Sequence, residues 1–409
     1  MFKLLIYVFI LILLCQLLKV LFVKLNTDSS TFIGILIMWL QFYLVVIPLM
    51  LLVTNRCLRF IRQKRLRYFF AGIITLSFLV AIESLSFYYL RHAKDAPGLF
   101  QDAIGYYYDK YDRKIITFDR RSAVYDDKLF YRLKPGSGFV FRSHEFADSF
   151  SVNLQGLRDD QYSLQSPEII CLGDSYFMGW GVQQDSCFAD LLENKSRMKV
   201  LNAAISSYGT VREMILLREL DRTRMKFLVI QYCVNDWTEN KTYLSQNNHL
   251  NISSSDNYKR ICDEHSLTSL YFPGKHSAIL AQILLRLAIN KFRPTFELPL
   301  ERNKQVTDES AQAKDFLDVL TANQDLMKNV IVFVTLMDTY DRINNRFLQE
   351  TRRLLQTGAY KALRNQIVLI NTEHMFKEED YHFLDEHAKG SAYYKLATTV
   401  ADSIRIYNR

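Results

Sequence analysis

The run Ile169-Ile170-Cys171-Leu172 stops at Gly173-Asp174-Ser175, and two more glycines, Gly179 and Gly181, follow within "CLGDSYFMGWGV". Gly, Asp and Ser are common turn residues, so the stretch reads as a turn. It also reads as a strand that ends on a serine nucleophile, and a serine hydroxyl needs a neighbouring base for that role. Two Asp-x-His pairs near the carboxyl terminus offer one: Asp380/His382 and Asp385/His387. The second pair stands in "DEHAKGSAYYKLA", where His387 leads into an amphipathic helix whose expected buried stripe is Tyr394, Leu396, Val400 and Ile404. His382 is followed by Phe383 and Leu384, which read as anchors for the loop. His387 is the favoured base and His382 the alternative. The chain also contains Asn235-Asp236 after an apolar run and "NAAISSYGT" from Asn202 to Thr210. A hydroxyl nucleophile, donor amides for an oxyanion, and a histidine with a carboxylate are the parts acyl transfer requires.

These parts need elements that bring them to one place. From residue 168 onward, apolar runs at 169–173, 199–203, 226–234, 329–337 and 366–372 alternate with helical periodicity at 211–224, 278–291, 341–356 and 389–406. Continuous apolar strands separated by helices predict an α/β domain, with a doubly wound parallel five-stranded sheet covered on both faces in three layers. Ligands in such folds bind beyond the carboxyl ends of the strands. Ser175, the 202–210 segment and Asn235 all fall at such ends, and the Asp-x-His pairs open the last helix. Residues 236–328 form a long connection of the kind that supplies lids or substrate walls. Residues 92–166, with their Tyr, Asp and Arg content and the turn "KPGSG", predict small strands in a segment packed on the main domain.

The order of these motifs resembles the SGNH (GDSL-like) esterase/acylhydrolase superfamily, over residues 168–409. The resemblance extends to "NLQGLRDD" at 153–160, similar to a segment found before the Gly-Asp-Ser strand in membrane-anchored or exported members. It implies Ser175 as nucleophile, His387 as base, Asp385 as its orienting carboxylate and Asn235 as the oxyanion asparagine. It further implies that the backbone N–H groups of Ser175 and Ser207 complete the oxyanion hole. Ser207 stands where the family has glycine, and Ala392 stands where a glycine often follows the histidine. The implied substrate is an O-acyl ester of a carbohydrate or lipid, with no cofactor. One alternative is an O-acetyltransferase modifying a cell-envelope polysaccharide and served by a separate acyl-donor membrane protein. A non-catalytic binding module is the other.

The amino-terminal region has a different composition. The net charge of +8 lies within the first 91 residues, which hold ten Lys/Arg and two acids, Asp28 and Glu83. The remaining chain is balanced, which argues against nucleic-acid binding. Apolar runs at 4–23, 32–53 and 68–90 are long enough to cross a bilayer. Arg56, Arg59, Arg62, Lys64, Arg65 and Arg67 lie between the second and third runs with no acid among them. The positive-inside rule puts that loop in the cytoplasm and residues 92–409 outside the cell membrane. The expected organisation is a membrane anchor over 1–91, an extracytoplasmic approach segment over 92–166 and the α/β domain over 167–409. Lys19 and Glu83 reach a similar depth, about 22 Å from the cytoplasmic starts of their spans. They read as an ion pair or as side chains snorkelling to the interface. Of six cysteines, Cys15 and Cys57 fall in the membrane region, Cys171 and Cys233 read as buried thiols, and Cys187 and Cys262 as a pair that oxidation could join. No spacing suggests a metal site.

Overall fold

Alternate residues of the apolar strands point into two separate cores, and this division organises the larger part of the molecule. The computed structural model describes residues 30–92, 98–292, 308–340 and 345–408. It forms two compact units, Met1–Lys114 with Asp263–Asn303, and Ile115–Cys262 with Lys304–Arg409. In the second unit, β1 (Ala123–Asp126) pairs antiparallel with β2 (Phe130–Leu133), and β3 (Gly138–Arg142) with β4 (Ala147–Ser151). The five remaining strands are β5 (Ile169–Leu172), β6 (Val200–Asn202), β7 (Phe227–Tyr232), β8 (Ile331–Leu336) and β9 (Ile367–Leu369). They form one parallel sheet in the order β6-β5-β7-β8-β9.

Side chains alternate between the faces of a strand, so each strand contributes to both cores. Ile170, Leu172, Leu228, Ile230, Val332 and Val334 join the helices Thr210–Glu219, Glu309–Ala322 and Arg346–Leu355 in one cluster. Ile169, Cys171, Phe227, Val229 and Phe333 join the helices Phe188–Ser196 and Gly390–Tyr407 in the other. Both faces are covered, as continuous apolar strands require. The last helix buries Ala392, Tyr393, Leu396, Val400 and Ile404, whereas Tyr394 is 57% exposed. Tyr394 was expected in the buried stripe. It lies instead under the ammonium of Lys195, 3.6 Å from the ring centre. Cys187 and Cys262 are buried in different cores and are not joined by a disulfide.

The first unit contains the helices Ser30–Cys57 and Lys64–Arg91, both long and apolar enough to cross a membrane by length and composition. The first apolar run, 4–23, lies outside the described residues, as do Lys19 and Cys15. Helices Gly98–Tyr107 and Lys275–Phe292 pack with the two apolar helices. Part of the long connection between β7 and β8 therefore belongs to this unit. Glu83 is buried, and its described partners are His276 and Ser277 rather than another charge of the apolar helices.

Leu228 lies fully buried on the central strand of the sheet. Leu228→Ala should lower unfolding stability by about 2–5 kcal/mol through loss of burial and the cavity it leaves, read from denaturant melts of the detergent-solubilised chain.

Candidate functional site

Strand β5 ends beneath the site, and one polar side chain ties it to its neighbours. Gln231, buried on β7, accepts the Asp174 N–H at 3.0 Å and donates to the Met337 carbonyl after β8 at 3.1 Å. The approach is so close that a Cβ on Gly173 would sit 2.6 Å from the Gln231 side-chain oxygen. Only glycine fits there without displacing the sheet end. Asp174 then caps the short helix Ser175–Met178 by accepting the Tyr176 N–H at 3.0 Å. Ser175 is thereby fixed at the first position of this helix, three residues beyond the strand.

The carboxyl-terminal loop supplies the histidine. His387 Nε2 lies 2.8 Å from Ser175 Oγ, and its Nδ1 hydrogen-bonds Asp385 Oδ1. A carboxylate accepts, so Nδ1 carries the proton and Nε2 is left to accept the serine proton. Asp385 and His387 are 2% and 7% exposed, so water does little to loosen the relay. The residue between them, Glu386, adopts φ +62°. That left-handed step folds the chain so that residues two apart meet. His382 is the other candidate base, and the structure sets it elsewhere. Its Nε2 lies 2.9 Å from the Gly181 carbonyl, which it bonds as donor. Gly181 has φ +83°, and a Cβ there would come within 2.9 Å of the same His382 nitrogen. The third glycine of the opening motif thus serves this contact.

Three supporting residues escaped the sequence reading. Trp180 donates its indole N–H to Asp385 Oδ1 at 3.0 Å, a second donor on the buried carboxylate. Glu145, between β3 and β4, accepts the N–H groups of Phe383, Leu384 and Asp385 at 2.8, 2.7 and 2.9 Å. The loop is held through its backbone, and Phe383, expected as an apolar anchor, is 42% exposed. Arg158, fully buried, donates to the carbonyls of Met178, Gly179, Val182 and Ser149 and stacks on Phe150. It gathers the chain on both sides of Trp180. The motif "NLQGLRDD" contained the signal for Arg158, whereas nothing local marks Glu145.

The remaining predicted residues gather at the same sheet edge. Asn235 follows β7 and precedes the helix Asp236–Ser245, where its amide favours the charged form of Asp174. Burial nevertheless raises the Asp174 carboxyl to about 6, against that amide and the Tyr176 N–H. Ser207 has φ +62°, so this position does require the left-handed backbone that glycine adopts freely, and a serine holds it. Arg212 secures the turn by donating to the Ser207 carbonyl at 2.7 Å. Below Asn235, the buried carboxyls of Glu213 and Asp236 are both raised well above the ordinary range, by burial first and then by nearby acids. Among the described residues no cluster of His, Cys, Asp and Glu is arranged to hold a metal ion. The arrangement is a hydroxyl with an adjacent base and a carboxylate that orients that base, the geometry of nucleophilic catalysis.

No family model and no curated protein matches the chain in sequence. Among solved structures, a lipase from a goat-rumen metagenome is similar over 57% of this chain and 96% of its own, at 14% identity and a TM-score of 0.31.

Two outcomes test this description. Ser207→Gly removes a side chain from a left-handed position and should raise stability by up to about 1 kcal/mol, seen as a higher denaturant midpoint. The second concerns pH. Burial raises Asp148, Asp174 and Asp190 to about 6 and Asp159 to about 7. Each binds its proton more tightly folded than unfolded, where an aspartate titrates near about 3.9. Their contribution is complete below that value and is lost as pH rises through 6 to 7. His265 and His382, both lowered by burial, oppose the trend as pH falls below about 6.5. The melting temperature followed by tryptophan fluorescence should therefore be higher at about pH 5 than at about pH 7.5.

Proposed function

We propose that residues 167–409 form an SGNH-like serine esterase, anchored to the cell membrane and acting outside the cytoplasm on an O-acyl ester of a carbohydrate or lipid. The observation that carries this reading is the unbroken hydrogen-bonded series Ser175–His387–Asp385 at the sheet edge. His387 Nε2 takes the Ser175 proton as Oγ attacks the acyl carbon. The imidazolium that forms is stabilised by Asp385. The carbonyl oxygen becomes an oxyanion facing the N–H groups of Ser175 and Ser207 and the amide of Asn235. Asn235 is suited to this task because it follows β7, the strand paired with β5 that leads to Ser175. One such donor is worth about 3–4 kcal/mol in the transition state. The ester C–O bond then breaks, and the leaving alcohol takes the proton from His387. Water loses a proton to the same nitrogen and attacks the acyl-serine; the acyl–Oγ bond breaks, Ser175 regains its proton from His387, and the acid leaves. The two apolar helices and the arginine-rich segment between them support the membrane anchor and its orientation.

A fluorophosphonate probe applied to isolated membranes should label the wild-type chain at Ser175, and Ser175→Ala should abolish labelling and hydrolysis of a short-chain aryl ester. His387→Ala should lower kcat by several orders of magnitude, as loss of a triad base does. His382→Ala should act through the Gly181 contact alone and leave most of kcat. Labelling that survives Ser175→Ala, or a lethal His382→Ala beside a tolerated His387→Ala, would refute the assignment.

A further inference from the structure

The helix Lys275–Phe292 has its polarity reversed relative to a helix in water. Its first turn is polar and buried: Lys275, His276 and Ser277 are 5%, 6% and 3% exposed. Its later turns expose apolar side chains, with Leu285 61% and Ile289 47% exposed and Ala288 exposed between them. These three fall at i, i+3 and i+4 and share one face. Leu270 and Tyr271, just before the helix, are 53% and 57% exposed. The later turns carry two charged residues, Arg286 and Lys291, and Arg286 donates to the Tyr106 hydroxyl at 2.9 Å.

The buried end is pinned to both apolar helices. Glu83 accepts His276 N–H at 3.2 Å, Ser277 N–H at 2.9 Å and Ser277 Oγ–H at 2.7 Å, and lies 2.9 Å from His276 Nδ1. With that hydroxyl proton given to Glu83, Ser277 Oγ accepts from Tyr43 at 2.8 Å. Trp39 donates to the Pro273 carbonyl at 2.8 Å. Glu83 lies eight residues inside the end of Lys64–Arg91, and Tyr43 thirteen residues inside the start of Ser30–Cys57. At about 1.5 Å per residue these contacts sit roughly 12 and 20 Å along their helices. The polar end is therefore enclosed by spans, and the apolar face is turned outward.

Polar groups inside and apolar groups outside suit hydrocarbon, where every backbone and side-chain polar group needs a protein partner. We propose that helix Lys275–Phe292 is embedded in the membrane leaflet nearer residues 92–409, with Leu285, Ala288 and Ile289 against lipid acyl chains and Glu83 as its anchor. This rests on the reading of the two apolar helices as membrane spans. The connection that leaves the sheet after β7, the strand preceding Asn235, thus enters lipid before the chain returns to β8.

Spin labels test it on the full chain in phosphatidylcholine vesicles, with Cys15 and Cys57 replaced by serine. Labels go singly at Leu285→Cys, Ile289→Cys and, as a control on the span Lys64–Arg91, Leu76→Cys, a position 64% exposed. Oxygen should relax all three labels more than a water-soluble nickel chelate does. A Leu76 label reached by nickel would overturn the membrane reading itself. A lipid-exposed Leu76 label with nickel-accessible labels at 285 and 289 would overturn this proposal alone. Labels at 285 and 289 shielded from both reagents would assign the face to another protein and equally overturn it.

Discussion

Asp385 is a carboxylate removed from water, and a buried charge persists only where donors replace its hydration. Two ring N–H groups do so here, from Trp180 and His387, both on the same oxygen. Much of the local architecture follows from keeping these donors in place. Trp180 sits in a stretch that Arg158 fixes through backbone carbonyls on either side. His387 is brought to the carboxylate by the left-handed turn at Glu386, and that turn is steadied by Glu145 through three N–H groups. If the carboxylate lost its orientation, the histidine would lose its tautomer, and Ser175 would be a hydroxyl without a base.

The sheet determines where this can happen. Strand order reverses between β5 and β7, so the chain leaves these neighbours in opposite directions and opens a crevice at their carboxyl ends. Ser175 follows one of the two and Asn235 the other. Gln231 spans the same point, bonding the turn after β5 and the end of β8. A glutamine in an otherwise apolar strand is the cost of making three strand ends one rigid platform. The raised carboxyls of Asp174, Glu213 and Asp236 reflect the same dry environment.

The other unit obeys the same rule in reverse. In the α/β unit the polar groups that are buried serve a site, and the apolar ones fill two cores. In the helical unit, buried polar groups join helices and apolar side chains cover the outside, the arrangement that a hydrocarbon surrounding favours. Glu83 illustrates the difference. It was expected as an ion-pair partner or a snorkelling side chain, and among the described residues it caps a helix almost two hundred residues later in the chain.

The sequence by itself determined the five parallel strands, the covering helices Thr210–Glu219, Arg346–Leu355 and Gly390–Tyr407, and the residues that stand at the strand ends. Apolar runs and helical periodicity are local, and burial on both faces leaves little freedom in where such runs go. It also narrowed the base to two histidines. The choice between them belonged to the tertiary structure, since His382 and His387 differ only in which carbonyl or hydroxyl the folded loop offers them. The same holds for Tyr393 over Tyr394, where one step of helix rotation selects the buried ring. Glu145, Trp180 and Gln231 were invisible as site residues because their partners lie 57 to 240 residues away, except for the nearby nucleophile turn that Trp180 shares. A hydrogen bond has no sequence period, so pairing at that range exists only once packing has brought the chain together.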